Sequence, residues 1–280
     1  MEKQFKIGDF VFRLNFSEAI CMPKNFLIFE MPLNSEYEYT YEISLAEQLP
    51  KPCGKKIAER QDLQVFETET GEERLIGIKG TEKFYAYYKE VKEDLTKVFV
   101  SESEIEKIHI DTIFCSLLAL ERRMIKKRSF VLHCAYIKYQ GEAILFSAPS
   151  EIGKTTQANL WEKYRNSKTI NGDKALIGKK NGQWVAQGWP VCGSSGVCYN
   201  EKLPIRAIVL LSQAKENNVE KVKGSKAFSL LYGQITANRW NTLDNNITVD
   251  MILELMGAIS IYHLGCTISK EAVECLEKVI

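Results

Sequence analysis

The 280-residue sequence lacks the features that mark several large classes of protein. No apolar run approaches the ~20 residues of a membrane-spanning helix. The first residues lack the apolar core and cleavage site of a signal peptide, so we expect a cytoplasmic protein. The formal net charge is only +1, which argues against an overall attraction to nucleic acid or to anionic membranes. We find neither an internal repeat nor a low-complexity tract.

Disulfide partners and metal ligands are also scarce. The eight cysteines form no C-x-x-C pair, and the sequence has only three histidines. Cys192 and Cys198 are the closest two cysteines, but a zinc site there would need ligands that the neighbouring sequence does not supply. We therefore expect reduced cysteines with mainly structural roles.

The strongest chemical signal is the stretch of residues 143–161, AILFSAPSEIGKTTQANLW. An apolar run at 143–146 indicates a buried strand, a polar loop follows at 147–152, and Gly153-Lys154-Thr155-Thr156 opens a helical pattern. Strand, glycine-containing loop, Lys-Thr and helix are the order of a phosphate-binding P-loop. The general pattern has a glycine where this chain has Ala148. The alternative interpretation is a surface turn that happens to contain Gly-Lys-Thr.

Each part of this stretch has a chemical reason to bind phosphate. Backbone N–H groups of the loop and of the helix start point at an anion, and the helix dipole favours it. Lys154 would add a positive charge for the outer phosphates. The Thr155 hydroxyl would bind Mg²⁺.

Two residues flanking this stretch are candidates for catalysis. His133 lies on a predicted strand, 131–139, which forms a hairpin with 142–146 around Gln140-Gly141. Asp173 ends an apolar strand about twenty residues after Lys154, where a metal-binding carboxylate is expected. The alternatives are a structural histidine and an ordinary Asn-Gly-Asp turn. The loop at 188–196, rich in small residues, is either a substrate lip or a long turn.

The rest of the chain has ordinary secondary-structure patterns. Residues 1–102 have the short runs and turn clusters of antiparallel strands, and residues 103–127 have the apolar stripe of one long helix. We therefore predict a β-rich N-terminal region at 1–102 and a second domain at 103–280. Strands are further predicted at 205–211 and 259–264, and helices at 154–164, 226–232, 249–257 and 270–279.

The motifs together resemble the kinase domain of the HPr kinase/phosphorylase family. The resemblance rests on HCAYIKYQGEAILFSAPSEIGKTTQANLW, TINGDKALI, GWPVCG and the tail YHLGCTISKEAVECL, and it covers about residues 105–280. It is strongest with the small bacterial relatives found beside peptide-modification genes.

The resemblance implies an α/β fold, with a P-loop kinase domain of the HPr kinase/phosphoenolpyruvate carboxykinase type after the smaller β-rich region. It also implies an ATP- and Mg²⁺-dependent kinase in a bacterial cytoplasm, which phosphorylates a serine of a peptide or protein. The family forms oligomers, which allows an oligomer here. It assigns catalysis to His133 and Asp173, and Mg²⁺ to Thr155 and Asp173. It assigns nucleotide binding to Ser150, Glu151, Ile152, Gly153, Lys154, Thr155 and Thr156.

Three positions depart from the family pattern. Two loop glycines correspond to Ala148 and Glu151, and the first member of the family's acidic pair, the base towards the acceptor hydroxyl, corresponds to Gly172. The alternative function is therefore a degenerate kinase-fold protein that binds nucleotide or peptide without phosphoryl transfer. A small-molecule phosphotransferase is a weaker third hypothesis, because we can assign no basic cluster to a carboxylate substrate.

Overall fold

The computed structural model describes residues 1–33, 36–81 and 83–280. These residues form a mixed α/β protein with two sheets and divide into two compact units, 1–120 and 121–280. The first unit contains strands β1 (Glu2–Ile7), β2 (Phe10–Phe16), β3 (Glu30–Met31), β4 (Tyr39–Ala46), β5 (Lys55–Arg60), β6 (Leu63–Thr68), β7 (Gly71–Gly77), β8 (Phe84–Lys92) and β9 (Leu95–Ser101). Its helices are α1 (Lys24–Leu27), a 3₁₀ helix (Glu102–Lys107) and α2 (Asp111–Ser116).

The nine described strands of the first unit form one sheet in the order β3-β1-β2-β4-β9-β8-β7-β6-β5. Most neighbours are antiparallel, as the sequence predicts, but β4 pairs in parallel with both β2 and β9. Alternating residues of β1 and β2 are buried, because successive side chains of a strand point to opposite faces. The Phe5 and Phe26 rings lie 4.7 Å apart, and the Phe12 and Tyr41 rings 5.6 Å apart. These aromatic residues therefore belong to the core of the first unit.

The prediction of one long helix at 103–127 is wrong. The segment contains the 3₁₀ helix, α2 and the separate helix α3 (Leu120–Lys126). Ile110 is extended and Ala119 has a positive φ of 44°, so the chain leaves the helical conformation twice. The Tyr85 and Tyr41 hydroxyls donate to the carbonyls of Ile113 and Leu118 at 2.9 Å.

These tyrosine contacts also explain where the first unit ends. Tyr41 and Tyr85 belong to the first sheet, and their hydroxyl bonds attach residues 113–118 to it. The compact units therefore divide after Leu120, later than the predicted domain boundary between residues 102 and 103.

The second unit carries the candidate site. Its strands are β10 (Ser129–Tyr139), β11 (Glu142–Ser147), β12 (Lys168–Asn171), β13 (Lys174–Lys180), β14 (Gln183–Gln187), β15 (Lys202–Gln213), β16 (Asn218–Lys221), β17 (Ile235–Thr236) and β18 (Ser260–Cys266). Its helices are α4 (Lys154–Arg165), α5 (Gly224–Tyr232), α6 (Thr242–Ala258) and α7 (Lys270–Glu277), with a 3₁₀ turn at Gly193–Ser195.

The second sheet combines antiparallel hairpins with parallel pairs. Its main path is β11-β10-β13-β14-β15-β18-β16, and β11 and β18 each pair in parallel with β15. Because β11 pairs with both β10 and β15, the strands β11, β10, β13, β14 and β15 form a closed ring. The predicted hairpin and the predicted helix after Lys154 are confirmed, whereas α6 begins earlier than predicted.

Successive side chains of β10 point to opposite faces of the second sheet, and this alternation shows on which face His133 lies. Leu132, Cys134 and Tyr136 are buried in the core cluster that includes residues of α5 and α6. Ala135 and Ile137 are buried in the other cluster, which includes Trp161 of α4 and residues of α7. Because side chains alternate with a period of two, His133 lies on the same face as α4. None of the helices within the described ranges has the length and apolar character needed to cross a bilayer.

The hydrogen bonds of the Glu73 carboxylate allow a test of what stabilises the first unit. It is fully buried and accepts hydrogen bonds from the backbone N–H groups of Cys53 and Gly54 at 2.8 and 3.2 Å, and Lys89 Nζ lies 3.0 Å away. Burial alone would raise its pKa, but these partners lower it from 4.5 to about 2.

We expect Glu73→Gln to destabilise the protein by about 2 kcal/mol at neutral pH, because the amide keeps only one acceptor oxygen and no charge. Since the folded pKa is below the unfolded one, this contribution is complete above pH 4.5 and is lost as the pH falls towards 2. Urea unfolding across this range measures it. The matched control is Glu67→Gln at an exposed position, and an equal loss in both variants would contradict the prediction.

Candidate functional site

The start of helix α4 has uncapped backbone donors. Strand β11 ends at Ser147, the chain turns through residues 148–153, and α4 begins at Lys154. Gly153 at the N-cap has a φ of 122° and has no side chain that could cap the helix, and the first turn contains no acidic residue. The first N–H groups of a helix have no partner within it. This helix start therefore offers donors and a positive dipole end to an anion.

A cavity of about 320 Å³ opens at this helix start. It brings together residues that are far apart in the sequence, from β10, the 148–153 loop, α4, the β12–β13 turn and the Gly193–Ser195 turn. Its lining residues are His133, Ser150, Glu151, Gly153, Lys154, Thr155, Thr156, Gly172, Asp173 and Ser194. Every residue that the sequence assigned to the site lines it, with the exception of Ile152.

Lys154 provides the positive charge of the cavity. Its side chain is buried, and Nζ donates to the carbonyls of Ala148 and Pro149 at 3.0 and 3.2 Å. Burial lowers the pKa of Lys154, although the nearby Asp173 carboxylate opposes the shift. In the part of the chain that the structure describes, these two carbonyls accept from the ammonium, and neither is an anion. A phosphate in this cavity would therefore meet a positive charge that is already largely shielded from water.

His133 and Asp173 form a pair in the cavity wall, with 3.2 Å between His133 Nε2 and Asp173 Oδ1. The Asp173 backbone carbonyl also accepts from the Cys134 N–H at 2.9 Å, which joins the β12–β13 turn to β10. Burial by itself would raise the pKa of Asp173. The hydrogen bond from His133 and the charges of nearby lysines outweigh burial and hold this pKa below its usual range.

The pair has a defined chemical polarity. A carboxylate can only accept, so His133 Nε2 carries the proton towards Asp173 in the neutral ring. The other ring nitrogen, Nδ1, is then free of a proton and able to take one. The sequence identifies His133 and Asp173 as candidates for catalysis, but only the folded sheet brings them into contact.

Asn171 is a positioning residue that the sequence analysis missed. Its side chain is 0% exposed, and its Oδ1 accepts from the backbone N–H groups of Asp173 and Lys174, both at 2.9 Å. Its Nδ2 donates to the carbonyls of Trp189 and Val191 at 2.9 and 3.1 Å. One amide therefore holds the Asp173 turn and the loop at 188–198 together. An Asn-Gly-Asp turn was visible in the sequence, but its partners were not.

Gly172 is needed because the loop packs directly on it. A Cβ at this position would overlap the Ser195 hydroxyl and lie 2.5 Å from the Ser195 Cβ. Ser195 therefore fills the space that a side chain at position 172 would occupy. The Ser195 hydroxyl in turn donates to the Cys192 carbonyl at 2.8 Å and accepts from the Val197 N–H at 3.2 Å.

Ala148 and Glu151, which stand where the family pattern has glycines, differ in the conformational cost of replacing glycine. Ala148 is buried in the core cluster that includes Phe146 and Trp161, and its φ is not positive. Glu151 has a φ of 68°, a left-handed conformation that costs a non-glycine residue about 1–2 kcal/mol. Its side chain is exposed, so the carboxylate is in contact with solvent.

A second cavity of about 400 Å³ adjoins the first and shares Glu151, Gly153 and Thr156 with it. Ile152, which the sequence assigned to the phosphate loop, lines this second cavity instead. Gln157 also lines it, and among the described residues none bonds to the buried Oε1 of Gln157. Gln213, Ala214, Cys266, Thr267 and Ile268 complete the lining.

Comparison with known proteins gives a family and a distant structural likeness. The family model of the SynChlorMet cassette protein ScmC matches residues 99–280. The chain belongs to the ScmC family. Comparison with the curated proteins finds no match. Among solved structures, this ScmC family member is similar to the Hpr(Ser) kinase/phosphatase from Coxiella burnetii, with a TM-score of 0.30 and 8% sequence identity over 53% of this chain and 94% of the other.

The donors for a divalent cation in this ScmC family member are few. The described residues contain no group of three or more His, Cys, Asp or Glu side chains that could hold a metal ion. Thr155 and Asp173 nevertheless line the same cavity. One hydroxyl and one carboxylate fit the way in which Mg²⁺ is usually held, by one or two protein oxygens together with substrate phosphates and water.

The hydrogen bonds of Asn171 allow a test of what holds the cavity wall in place. Asn171→Asp keeps the shape but removes two buried donors and places a charge against two carbonyls, so we expect a stability loss of about 3 kcal/mol. Urea unfolding measures the loss. The control, Asn200→Asp, makes the same change at an exposed position, and similar stability in the two variants would contradict the assigned role.

Proposed function

We propose that this protein is an ATP- and Mg²⁺-dependent kinase that phosphorylates a serine hydroxyl of a peptide or protein, using a P-loop domain of the HPr kinase/phosphoenolpyruvate carboxykinase type. One observation carries the proposal: Lys154, Thr155 and the His133–Asp173 pair line a single cavity at the uncapped start of α4. Phosphoryl transfer depends mainly on positioning the phosphate and neutralising its charge, and a general base for the acceptor hydroxyl accelerates it further. This cavity has residues suited to each of these roles.

The outer phosphates of ATP would bind at the helix start. The free N–H groups of the first turn of α4 would donate to phosphate oxygens, as helix N-termini commonly do. Lys154 would exchange its contacts with the Ala148 and Pro149 carbonyls for the more strongly charged phosphate oxygens.

Thr155 and Asp173 would hold Mg²⁺ against the phosphates, where the ion would neutralise charge that develops during transfer. The acidic Asp173 suits this role because its lowered pKa keeps it ionised at neutral pH. Asp173 also orients His133 through the 3.2 Å contact.

The acceptor hydroxyl would approach from the His133–Asp173 side of the cavity. His133 would take the hydroxyl proton, and a general base of this kind contributes about 10²–10⁴-fold to a rate. The acid that the HPr kinase pattern has at position 172 is absent here, so His133 and Asp173 would share its work. The preference for a serine acceptor rests on the resemblance of the motifs to that family.

The nucleoside would occupy the second cavity, because it continues from the helix start and shares three residues with the first. The unpartnered Gln157 Oε1 would accept from an N–H group of the base. Ile268 is 81% exposed at the rim of this cavity, and a stacked base would cover its apolar surface.

We expect Lys154→Ala to reduce ATP affinity at least tenfold, because a buried cation is removed from the phosphate site. Isothermal titration with ATP and Mg²⁺ measures the affinity. The matched control is Lys163→Ala, which removes the same charge from an exposed position at the far end of α4. Unchanged ATP affinity in the Lys154 variant would overturn the proposal.

The second candidate function is nucleotide or peptide binding without transfer, and the absent acid at Gly172 favours it. Asp173→Asn separates the two. If the protein is a kinase, mass spectrometry of a peptide pool incubated with ATP and Mg²⁺ detects phosphoserine with the wild-type protein and little or none with this variant. ATP binding without phosphoserine in the wild-type reaction would instead support the binding function.

Glu151 tests the phosphate site independently. We expect Glu151→Gln and Glu151→Gly each to raise ATP affinity about fivefold at low salt, because a negative charge beside the triphosphate is removed. Only Glu151→Gly is expected also to raise the stability, by about 1 kcal/mol, since glycine adopts a φ of 68° without strain. The affinity gain should shrink as salt increases, and equal affinities in all three proteins would contradict the expectation.

A further inference from the structure

The short 3₁₀ turn Gly193–Ser195 presents a serine to the cavity. Ser194 is exposed and lines the same cavity as Lys154, Thr155 and Asp173. From the sequence, the loop at 188–196 is either a substrate lip or a long turn, and its serines have no evident role. In the folded protein one of these serines shares the cavity with the proposed phosphate site.

The two serines of the turn differ in their hydrogen bonding. The Ser195 hydroxyl donates to the Cys192 carbonyl and accepts from the Val197 N–H. Within residues 1–33, 36–81 and 83–280, no protein group bonds to the exposed Ser194 hydroxyl. A hydroxyl that no protein group holds can rotate to donate to, or accept from, a molecule bound in the cavity.

The turn is held against the acid of the cavity. A Cβ on Gly193 would lie 3.0 Å from the Asp173 Cβ and 3.1 Å from its Cγ, so the chain passes directly over the Asp173 side chain at this point. Ser195 packs into the space above Gly172. These two contacts bring Ser194 to the side of the cavity where the His133–Asp173 pair lies.

The loop that carries the turn is anchored at both ends. Asn171 bonds to the Trp189 and Val191 carbonyls before the turn, and the Tyr199 N–H donates to the Ile170 carbonyl at 2.9 Å after it. Anchoring both ends keeps the hydroxyl beside the cavity and so raises its effective concentration there. Gly193 and Gly196, with φ values of 60° and 66°, allow the turn between the anchors to adopt a conformation that other residues resist.

We propose that Ser194 is an intramolecular phosphoryl acceptor, so that the protein phosphorylates itself at this position. The inference rests on the proposed kinase function and names an acceptor for the same site. The Ser194 oxygen forms a bond to the γ-phosphorus of ATP, the bond from that phosphorus to the β,γ-bridging oxygen breaks, and ADP leaves. The hydroxyl proton passes to the His133–Asp173 pair and then to solvent.

The test is incubation of the full chain with ATP and Mg²⁺, followed by intact-mass measurement and peptide mapping. We expect one added phosphate, mapped to Ser194. Ser194→Ala is expected to abolish the addition, and Ser229→Ala, which removes an exposed serine hydroxyl from helix α5 outside the cavity, is expected to retain it. Ser194→Thr should yield phosphothreonine at the same position, which a merely structural or ligand-binding hydroxyl would not do.

The kinetics test whether the transfer occurs within one chain. We expect the observed first-order rate constant at saturating ATP to stay the same over a tenfold dilution of the protein. A rate constant that falls in proportion to the dilution would overturn the intramolecular step. Phosphate mapped to another residue, for example the cavity-lining Ser150, would overturn the assignment of Ser194.

The outcomes separate this inference from the proposed function. If the wild-type protein binds ATP and phosphorylates the peptide pool but carries no phosphate itself, the inference fails and the kinase function stands. If calorimetry detects no ATP binding to the wild-type protein, the proposed function fails, and the inference fails with it.

Discussion

The buried amide of Asn171 is the interaction on which the arrangement of the cavity depends. Its oxygen holds the backbone of Asp173 and Lys174, and its nitrogen holds the loop at Trp189 and Val191. A buried amide is costly to leave unsatisfied, so its four bonds define one arrangement of these segments. The contact between His133 and Asp173 and the placement of Ser194 both rely on that arrangement.

The departures from the HPr kinase pattern have different physical meanings in the folded protein. Ala148 belongs to the core and has no positive φ, so glycine is not required there. Glu151 retains a conformation that glycine would adopt more easily. Gly172 is required by the packing of Ser195. In this chain, the close approach of Ser195 leaves no room for a side chain at position 172.

The local structure of the site could be predicted from the sequence, because its signals are local. Apolar residues followed by a polar loop and Gly-Lys-Thr-Thr indicate a strand, a turn and a helix start, and β11, the 148–153 loop and α4 follow that order. The same kind of reasoning failed at 103–127. An apolar stripe at helical spacing records which residues are buried, but it does not reveal that Tyr41 and Tyr85 bond to carbonyls within the segment. Asn171 and Ser194 were missed for a related reason, since polar residues in turns are common and their partners are remote.

The sequence by itself determined the β-rich character of residues 1–102, the strand and helix that enclose the 148–153 loop, and the chemical types of His133, Lys154, Thr155 and Asp173. Periodicity and turn chemistry act over a few residues and can be recognised without the fold. Only the tertiary structure decided that His133 meets Asp173, that Asn171 joins two loops, and that Ser195 fills the space at Gly172. These contacts join residues that are 2 to 40 positions apart through the β10–β13 pairing and the loop that packs on it. Such pairings arise from burial and hydrogen bonding across the whole unit, which no short stretch of sequence specifies.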